Sequence, residues 1–550
     1  MAASSQSGAG ARTTARLTRL TGLAGLVAQV LLSLFLLAPG CSLHQTGVEP
    51  PDNRIFFPGG AIVAPSGGWL YVVNSNSDLR YNSGTIVAVS LPAAAADLAT
   101  GRTNPGAWQS CPLDPQATKP ANHAQCCWEV LDPTILDCDE RAYVRTDVSV
   151  RIGSFAGQPV FQHFDPTSLL GGAGIGQRMF VPVRGNGSVT MLDLSTVTPA
   201  APRLFCTGNR TAPNSMEGYT QTPFAICEAA WTITRAQDPA VVPNPPGIPD
   251  NEVLRLPDEA YALAVNDAGE TPLLYVGSLS NGSVSLVTLG KGEPNYPELL
   301  GPVNPTILPQ DGNGSRGVTS LRVRSPGSCG SPVYATSRYR NVASSFVVAG
   351  ISDTDCGTTP DMMPMDSRTL ALIGRGDALG TGVPGTETRG IEFVSGSEIG
   401  TRDSSSPRGN DAIFLLQRSP PVLAALDAST NLPYATVEVC QGAVALAQQK
   451  TVETGTPFGL DGPSLFVTCF DSGEVYVIDA AAPRVKAIIP VGRGPVSVAF
   501  DETDATRGYV LGFGANNISV VDLDPASATH YRVIQRIGFP SPTPRELDPL

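Results

Sequence analysis

The sequence predicts an all-β chain, a seven-bladed β-propeller of four-stranded antiparallel blades with long loop insertions, preceded by a leader segment. Three observations predict it. First, one spacing recurs: an aromatic residue in an apolar strand, an apolar residue nine positions later, and Asp or a small polar residue thirteen positions later. Phe180 leads to Val189 and Asp193, Tyr275 to Val284 and Thr288, Phe414 to Leu423 and Asp427, Phe466 to Val475 and Asp479, and Tyr509 to Ile518 and Asp522. Constant spacing marks one strand–turn–strand unit used repeatedly, and repeated β units build propellers or solenoids. Second, the residues between paired strands are those of tight hairpins, as in Arg184-Gly185-Asn186-Gly187, Ser280-Asn281-Gly282 and Asp471-Ser472-Gly473. Third, the 550 residues include 57 Gly and 49 Pro, with 42% hydrophobic but only 15% charged residues. That composition suits short strands and turns, and no i, i+4 charge pattern of long helices is present.

Residues 1–40 read as an export leader. Arg12, Arg16 and Arg19 form a basic start, and residues 20–38 are apolar apart from Thr21, Gln29 and Ser33. Leu37-Ala38-Pro39-Gly40-Cys41 closes the stretch. Small residues before a cysteine at the end of an apolar run resemble the lipobox of bacterial lipoproteins. That resemblance implies diacylation of Cys41, removal of the leader and, with Ser42 next in line, sorting to an outer membrane. An ordinary cleaved signal peptide and an uncleaved anchor helix are the alternatives. Residues 41–53 form a tether, and the propeller is expected over 54–540 with a tail at 541–550.

Seven strand pairs follow in order: 69–73 with 85–91, 179–183 with 188–194, 273–277 with 283–289, 333–337 with 345–351, 412–416 with 422–426, 465–469 with 474–478, and 508–512 with 517–523. The step from Phe466 to Tyr509 fits the ~40–45 residues of one four-stranded blade. Residues 489–500, with Ser464-Leu465-Phe466-Val467-Thr468 and Val475-Tyr476-Val477-Ile478-Asp479, resemble the YVTN-type β-propeller repeat over roughly residues 430–540. The resemblance implies an architecture and little chemistry. The other steps are longer because of insertions at about 100–145, 203–255 and 352–388. Such loops are expected on the top and bottom faces, and function is expected there. The last strand is expected at 531–537, with 54–57 a possible neighbour at ring closure.

Of 11 cysteines, lipidation of Cys41 leaves ten for disulfides in an oxidising compartment. Adjacent strand ends bring Cys440 to Cys469 and Cys329 to Cys356. Cys206 and Cys227 bracket an insertion. Cys111, Cys126, Cys127 and Cys138 share another, with their connectivity open.

A net charge of −13 repels phosphate backbones and argues against a nucleic-acid partner. Four histidines make imidazole chemistry improbable, and His163 reads as structural. Asp311-Gly312-Asn313-Gly314-Ser315 alternates oxygens like a calcium loop but lacks the distal Glu, so it reads as a turn and calcium stays a secondary expectation. Asp193, Asp427, Asp479 and Asp522 read as turn caps. The expected function is therefore a membrane-tethered scaffold in the outer-membrane envelope, binding a protein or envelope polymer, with no catalytic residues, cofactor or metal site assigned. The alternative is a lactonase-like hydrolase with a metal or carboxylate site in the central channel, lined by segments such as 261–267, 318–323 and 496–501.

Overall fold

A computed structural model describes residues 47–111, 126–195, 203–207, 223–234, 256–267, 272–290, 292, 297–302, 308, 316–324, 332–349, 371–399, 411–449 and 463–538. From Glu49 onward they belong to one compact unit, a propeller of seven sheets. Named from the inside outward, blade 1 holds Pro58–Val63, Trp69–Asn74, Gly84–Ser90 and Val144–Ile152. Blade 2 holds Val160–His163, Ile175–Val183 and Ser188–Ser195, with a fourth strand split into Arg203–Phe205 and Thr232–Ile233. Blade 3 holds Ala260–Asn266, Leu273–Ser278, Val284–Thr288 and Glu298–Pro302, and blade 4 Val318–Val323, Val333–Ser337, Val342–Ala349 and Ala371–Gly380. Blade 5 holds Thr386–Val394, Ala412–Ser419, Val422–Asp427 and Pro433–Glu438, and blade 6 Ala443–Gln448, Ser464–Cys469, Glu474–Asp479 and Arg484–Pro490. Blade 7 holds Pro495–Phe500, Arg507–Gly512, Asn517–Asp522 and Val533–Ile537.

The seven expected pairs are the second and third strands of the seven blades. One boundary moves: the third strand of blade 4 begins at Val342 and ends at Ala349, because Ala343 pairs with Thr336 directly across the hairpin. The recurring aromatic lies in each second strand, and Tyr71, Phe180, Tyr275, Tyr334, Phe414, Phe466 and Tyr509 are all buried. The core is the set of interfaces between blades. Tyr275 meets Val318 and Leu321 between blades 3 and 4, and Phe466 meets Val498 and Val510 between blades 6 and 7. Each such side chain contributes about 1.5–3 kcal/mol on burial, so every blade depends on both neighbours.

The ring closes without exchanging a strand between termini. Val533–Ile537 is the fourth strand of blade 7, and the inner strand of blade 1 lies beside that of blade 7. Residues 54–57 form no strand; Phe57 N–H instead donates to Asn516 Oδ1 of blade 7 at 2.7 Å. The first insertion supplies the rest. It opens with helix Leu91–Thr103, capped by Ser90, and returns through the hairpin Cys126–Trp128 and Leu136–Cys138. Leu136–Cys138 pairs in parallel with Val533–Ile537, so blade 1 adds two strands to the outer edge of blade 7. Cys126–Cys138 and Cys111–Cys127 bridges hold this hairpin. The second insertion repeats the device one blade on: Arg151 N–H donates to Ala225 O and Cys227 N–H to Arg151 O, at 2.8 and 3.0 Å, on the outer strand of blade 1. The Cys206–Cys227 bridge closes it. The described parts of these two insertions thus run along the outer rim, where they cover strand edges that would otherwise be open, and not over the faces as expected.

Asp137 sits in the closure seam, 4% exposed, beside Arg536 at 3.4 Å, while Arg536 also pairs with Glu129 at 3.1 Å. Burial, opposed by Arg536, pushes its pKa up to about 6. A carboxyl raised in the folded state stabilises fully below its ordinary value near 3.8 and loses that contribution as pH rises through about 6. Calorimetric melting should therefore show stability falling from pH ~4.5 to ~7, and Asp137→Asn should remove that slope and gain roughly 2–3 kcal/mol at pH 7. An unchanged slope in the variant would refute the assignment.

Candidate functional site

Each inner strand starts at the end of the propeller that also carries the hairpins between second and third strands. This end, the hairpin face, has one backbone plan. In six blades the inner strand slips by one residue just after its start: Pro58 faces Asn74 but Gly60 faces Val73, and Pro495 faces Gly512 but Ser497 faces Leu511. Blades 3, 4, 5 and 6 do the same at Ala260, Val318, Thr388 and Ala443. Blade 2 follows them through the Ala156–Val183 bridge. A β-bulge of this kind re-aims the side chains around it.

Two positions flank every slip. The residue before it accepts, through its carbonyl, the N–H of the first hairpin residue. Ser75 donates to Phe57, Arg184 to Phe155, Leu279 to Glu259, Arg338 to Gly317, Phe470 to Gly442 and Phe513 to Gly494, at 2.8–3.2 Å. This accepting residue is left-handed in six blades. Gly442 and Gly494 take that conformation freely, but Phe57, Phe155, Glu259 and Glu387 hold φ of 43°, 59°, 56° and 61°. A side chain there costs about 1–2 kcal/mol that glycine avoids.

The side chains on this frame are sorted by chemistry. Blades 2, 4 and 5 carry arginine on the hairpin. Arg184 pairs with Glu259 at 3.1 Å and lies over Tyr261, Arg338 lies over Tyr339, and Arg418 stands 3.8 Å from Glu387 and 3.6 Å from Asp471. Arg389, the slipped residue of blade 5, pairs with Glu387 at 2.6 Å. Blades 6 and 7 carry Phe470 and Phe513 instead, and Phe513 packs edge-on against Phe57 of blade 1 at 5.4 Å and lies 6.0 Å from Phe470. The residue after the slip is small in six blades (Gly60, Ala262, Ser320, Gly390, Ala445, Ser497). In blade 2 it is Gln158, whose amide binds the Ala61 backbone and the Ser497 hydroxyl, joining blades 2, 1 and 7.

The opposite face carries Asx turns. Asp427 Oδ1 accepts from Ser429 and Thr430 N–H, Asp479 Oδ1 from Ala481 and Ala482, and Asp522 Oδ1 from Asp524. These three cap turns as expected. Asp193 does not: it is fully buried and bidentate with Arg178 across the sheet, at 2.6 and 3.0 Å. The segments expected along the channel are inner strands, where Arg322 pairs with Glu392 between blades 4 and 5. His163 meets Asp267 at 3.1 Å between blades 2 and 3, and this contact holds the Asp267 carboxyl below its usual range against burial.

Cys440–Cys469 and Cys206–Cys227 pair as expected, and the adjacent Cys126 and Cys127 go to different partners, Cys138 and Cys111. Cys41, Cys329, Cys356 and the loop 311–315 lie outside the described residues. Among the described residues no three His, Cys, Asp or Glu side chains form a metal-binding group, and no helix is long and apolar enough to cross a membrane. The arginine and phenylalanine positions had a signal in the sequence that the reading missed: each is the fourth residue after the aromatic marker, as Phe180 to Arg184, Tyr334 to Arg338 and Phe466 to Phe470.

No family model matches the chain, and no curated protein matches it. Similar solved structures include Sqt1 of Saccharomyces cerevisiae, at 8% identity and TM-score 0.40, covering 87% of this chain and 85% of that one. The dihydro-heme d1 dehydrogenase NirN in complex with DHE aligns at 12% identity and TM-score 0.37, over 96% and 78% of the two chains. Apo AztD from Citrobacter koseri aligns at 11% identity and TM-score 0.33, over 80% and 88%.

The two kinds of aspartate should separate by denaturant unfolding. Asp193→Ala leaves Arg178 buried without its carboxylate and should cost about 3–5 kcal/mol. Asp427→Ala removes an exposed turn cap and should cost about 1 kcal/mol. Equal costs would contradict the distinction.

Proposed function

We propose that this chain is an exported β-propeller of the YVTN-repeat type, tethered to the outer membrane through Cys41, that acts as a binding scaffold for a protein of the envelope. The observation that carries the reading is the hairpin face. One backbone frame repeats around the channel mouth, yet equivalent positions hold arginine on blades 2, 4 and 5 and phenylalanine on blades 6 and 7. Residues that only completed the fold would be alike from blade to blade, as the buried aromatics of the second strands are. Partly exposed positions that diverge on a rigid scaffold are where recognition resides. The leader and the pool of cysteines support export, and the four bridges Cys111–Cys127, Cys126–Cys138, Cys206–Cys227 and Cys440–Cys469 accord with an oxidising compartment.

Two measurements test this. Mass spectrometry of the mature N-terminus should find acylated Cys41; a mature end elsewhere removes the lipid tether. Photo-cross-linking from Arg340, an exposed residue of the blade 4 hairpin, in the native envelope should recover one or two proteins repeatedly. Defined substrate turnover by the purified, leader-free chain would overturn the scaffold reading.

A further inference from the structure

We infer that the hairpin face binds an acidic protein segment bearing apolar side chains, its carboxylates on Arg338 and Arg418 and its apolar residue on Phe57, Phe470 and Phe513. The inference rests on the scaffold reading and adds the partner's chemistry. Three observations converge on it. The left-handed position before the slip is glycine in blades 6 and 7, so the frame does not require a side chain there, yet Phe57 is held at φ 43°. A strained residue that the fold could replace by glycine is retained for what its side chain does, and strain of this kind concentrates at ligand clamps. Next, the guanidinium N–H donors are only partly met. Among the described residues Arg338 has an aromatic neighbour but no carboxylate, and the carboxylates near Arg418, at 3.6 and 3.8 Å, stand beyond hydrogen-bond reach. Finally, the arginines and phenylalanines occupy different sectors of one mouth, the arginines on blades 2, 4 and 5 and the aromatic cluster on blades 6, 7 and 1.

The occupant follows from this layout. Small molecules are ordinarily held in concave pockets, whereas these side chains stand at the hairpin ends of blades 4 to 7 and at the start of blade 1. An extended segment crosses such a row. Arginine forks match carboxylates in paired geometry. The net charge of −13 repels an acidic partner over the chain as a whole, so the arginines of this mouth supply the local attraction.

The test is selection of short random peptides displayed against the purified full chain at low salt. Enriched peptides should combine Asp or Glu with Phe, Leu or Trp. By fluorescence anisotropy their affinity should fall at least tenfold in Arg338→Gln/Arg418→Gln and in Phe57→Gly, and should weaken with added salt. The melting midpoint of Phe57→Gly should not fall, because glycine takes the left-handed backbone without strain, which a structural Phe57 would not allow. Enrichment of basic or purely apolar peptides, no enrichment, or undiminished binding to the double arginine variant would overturn the inference. Cross-linking that captures a partner through another surface, with the selection failing, would sink this inference and leave the scaffold reading standing. A successful selection with no envelope partner would do the reverse.

Discussion

A one-residue slip at the start of every inner strand governs this propeller. It puts two residues opposite one, and the chain before it must turn left-handed in six blades to meet the hairpin. The residue after it must be small in six blades, because the neighbouring inner strand approaches closely. A Cβ on Gly390 would stand 2.7 Å from that of Leu446, and one on Gly60 would meet the Gln158 backbone at 2.5 Å. The same slip thus sets the spacing of inner strands and the direction of the side chains at the channel mouth. Structure and recognition share one backbone feature, so the mouth can vary its residues only within what the slip permits.

The outer rim obeys a different constraint. Blades end in edge strands, and two of these edges are covered by insertions from the following blade. Between blades 5 and 6 the edges Pro433–Glu438 and Arg484–Pro490 stay more exposed, with Tyr434 and Ile488 at 47% and 48%. Proline at both strand ends nearest the turns, Pro433 and Pro490, removes ladder donors there. Among the described residues, covering by insertions lies where the ring closes, at blades 7 and 1.

Much of the fold was legible because the second strands are buried on both faces and hold an aromatic at a fixed offset from the turn. The hairpin chemistry beside them was equally plain. The inner strands were harder to read: their repeated feature is a small residue after a slip, and Gly60, Ala262, Ser320 and Ala445 share size but not identity. The Cys440–Cys469 bridge followed from antiparallel pairing alone. The crossed pairs of the first insertion did not, since they depend on Cys126 facing Cys138 in a short hairpin. At the mouth, glycine would have signalled the left-handed backbone, and Phe57, Phe155, Glu259 and Glu387 conceal it. Asp193 was misread for a related reason: its strand-end position matches the capping aspartates, but its cross-strand neighbour is Arg178.

The hairpin of the first insertion has a consequence for the order of assembly. Its two bridges span 16 and 12 residues, and the other two span 21 and 29. The first three join cysteines that all precede blade 3 in the chain, whereas Cys440–Cys469 belongs to blade 6. The strand that Leu136–Cys138 pairs with is the last among the described residues. An early, covalently fixed template therefore waits through the synthesis of nearly the whole propeller for its partner. Chains that stop short of Val533 would leave the edge of Leu136–Cys138 without that pairing strand.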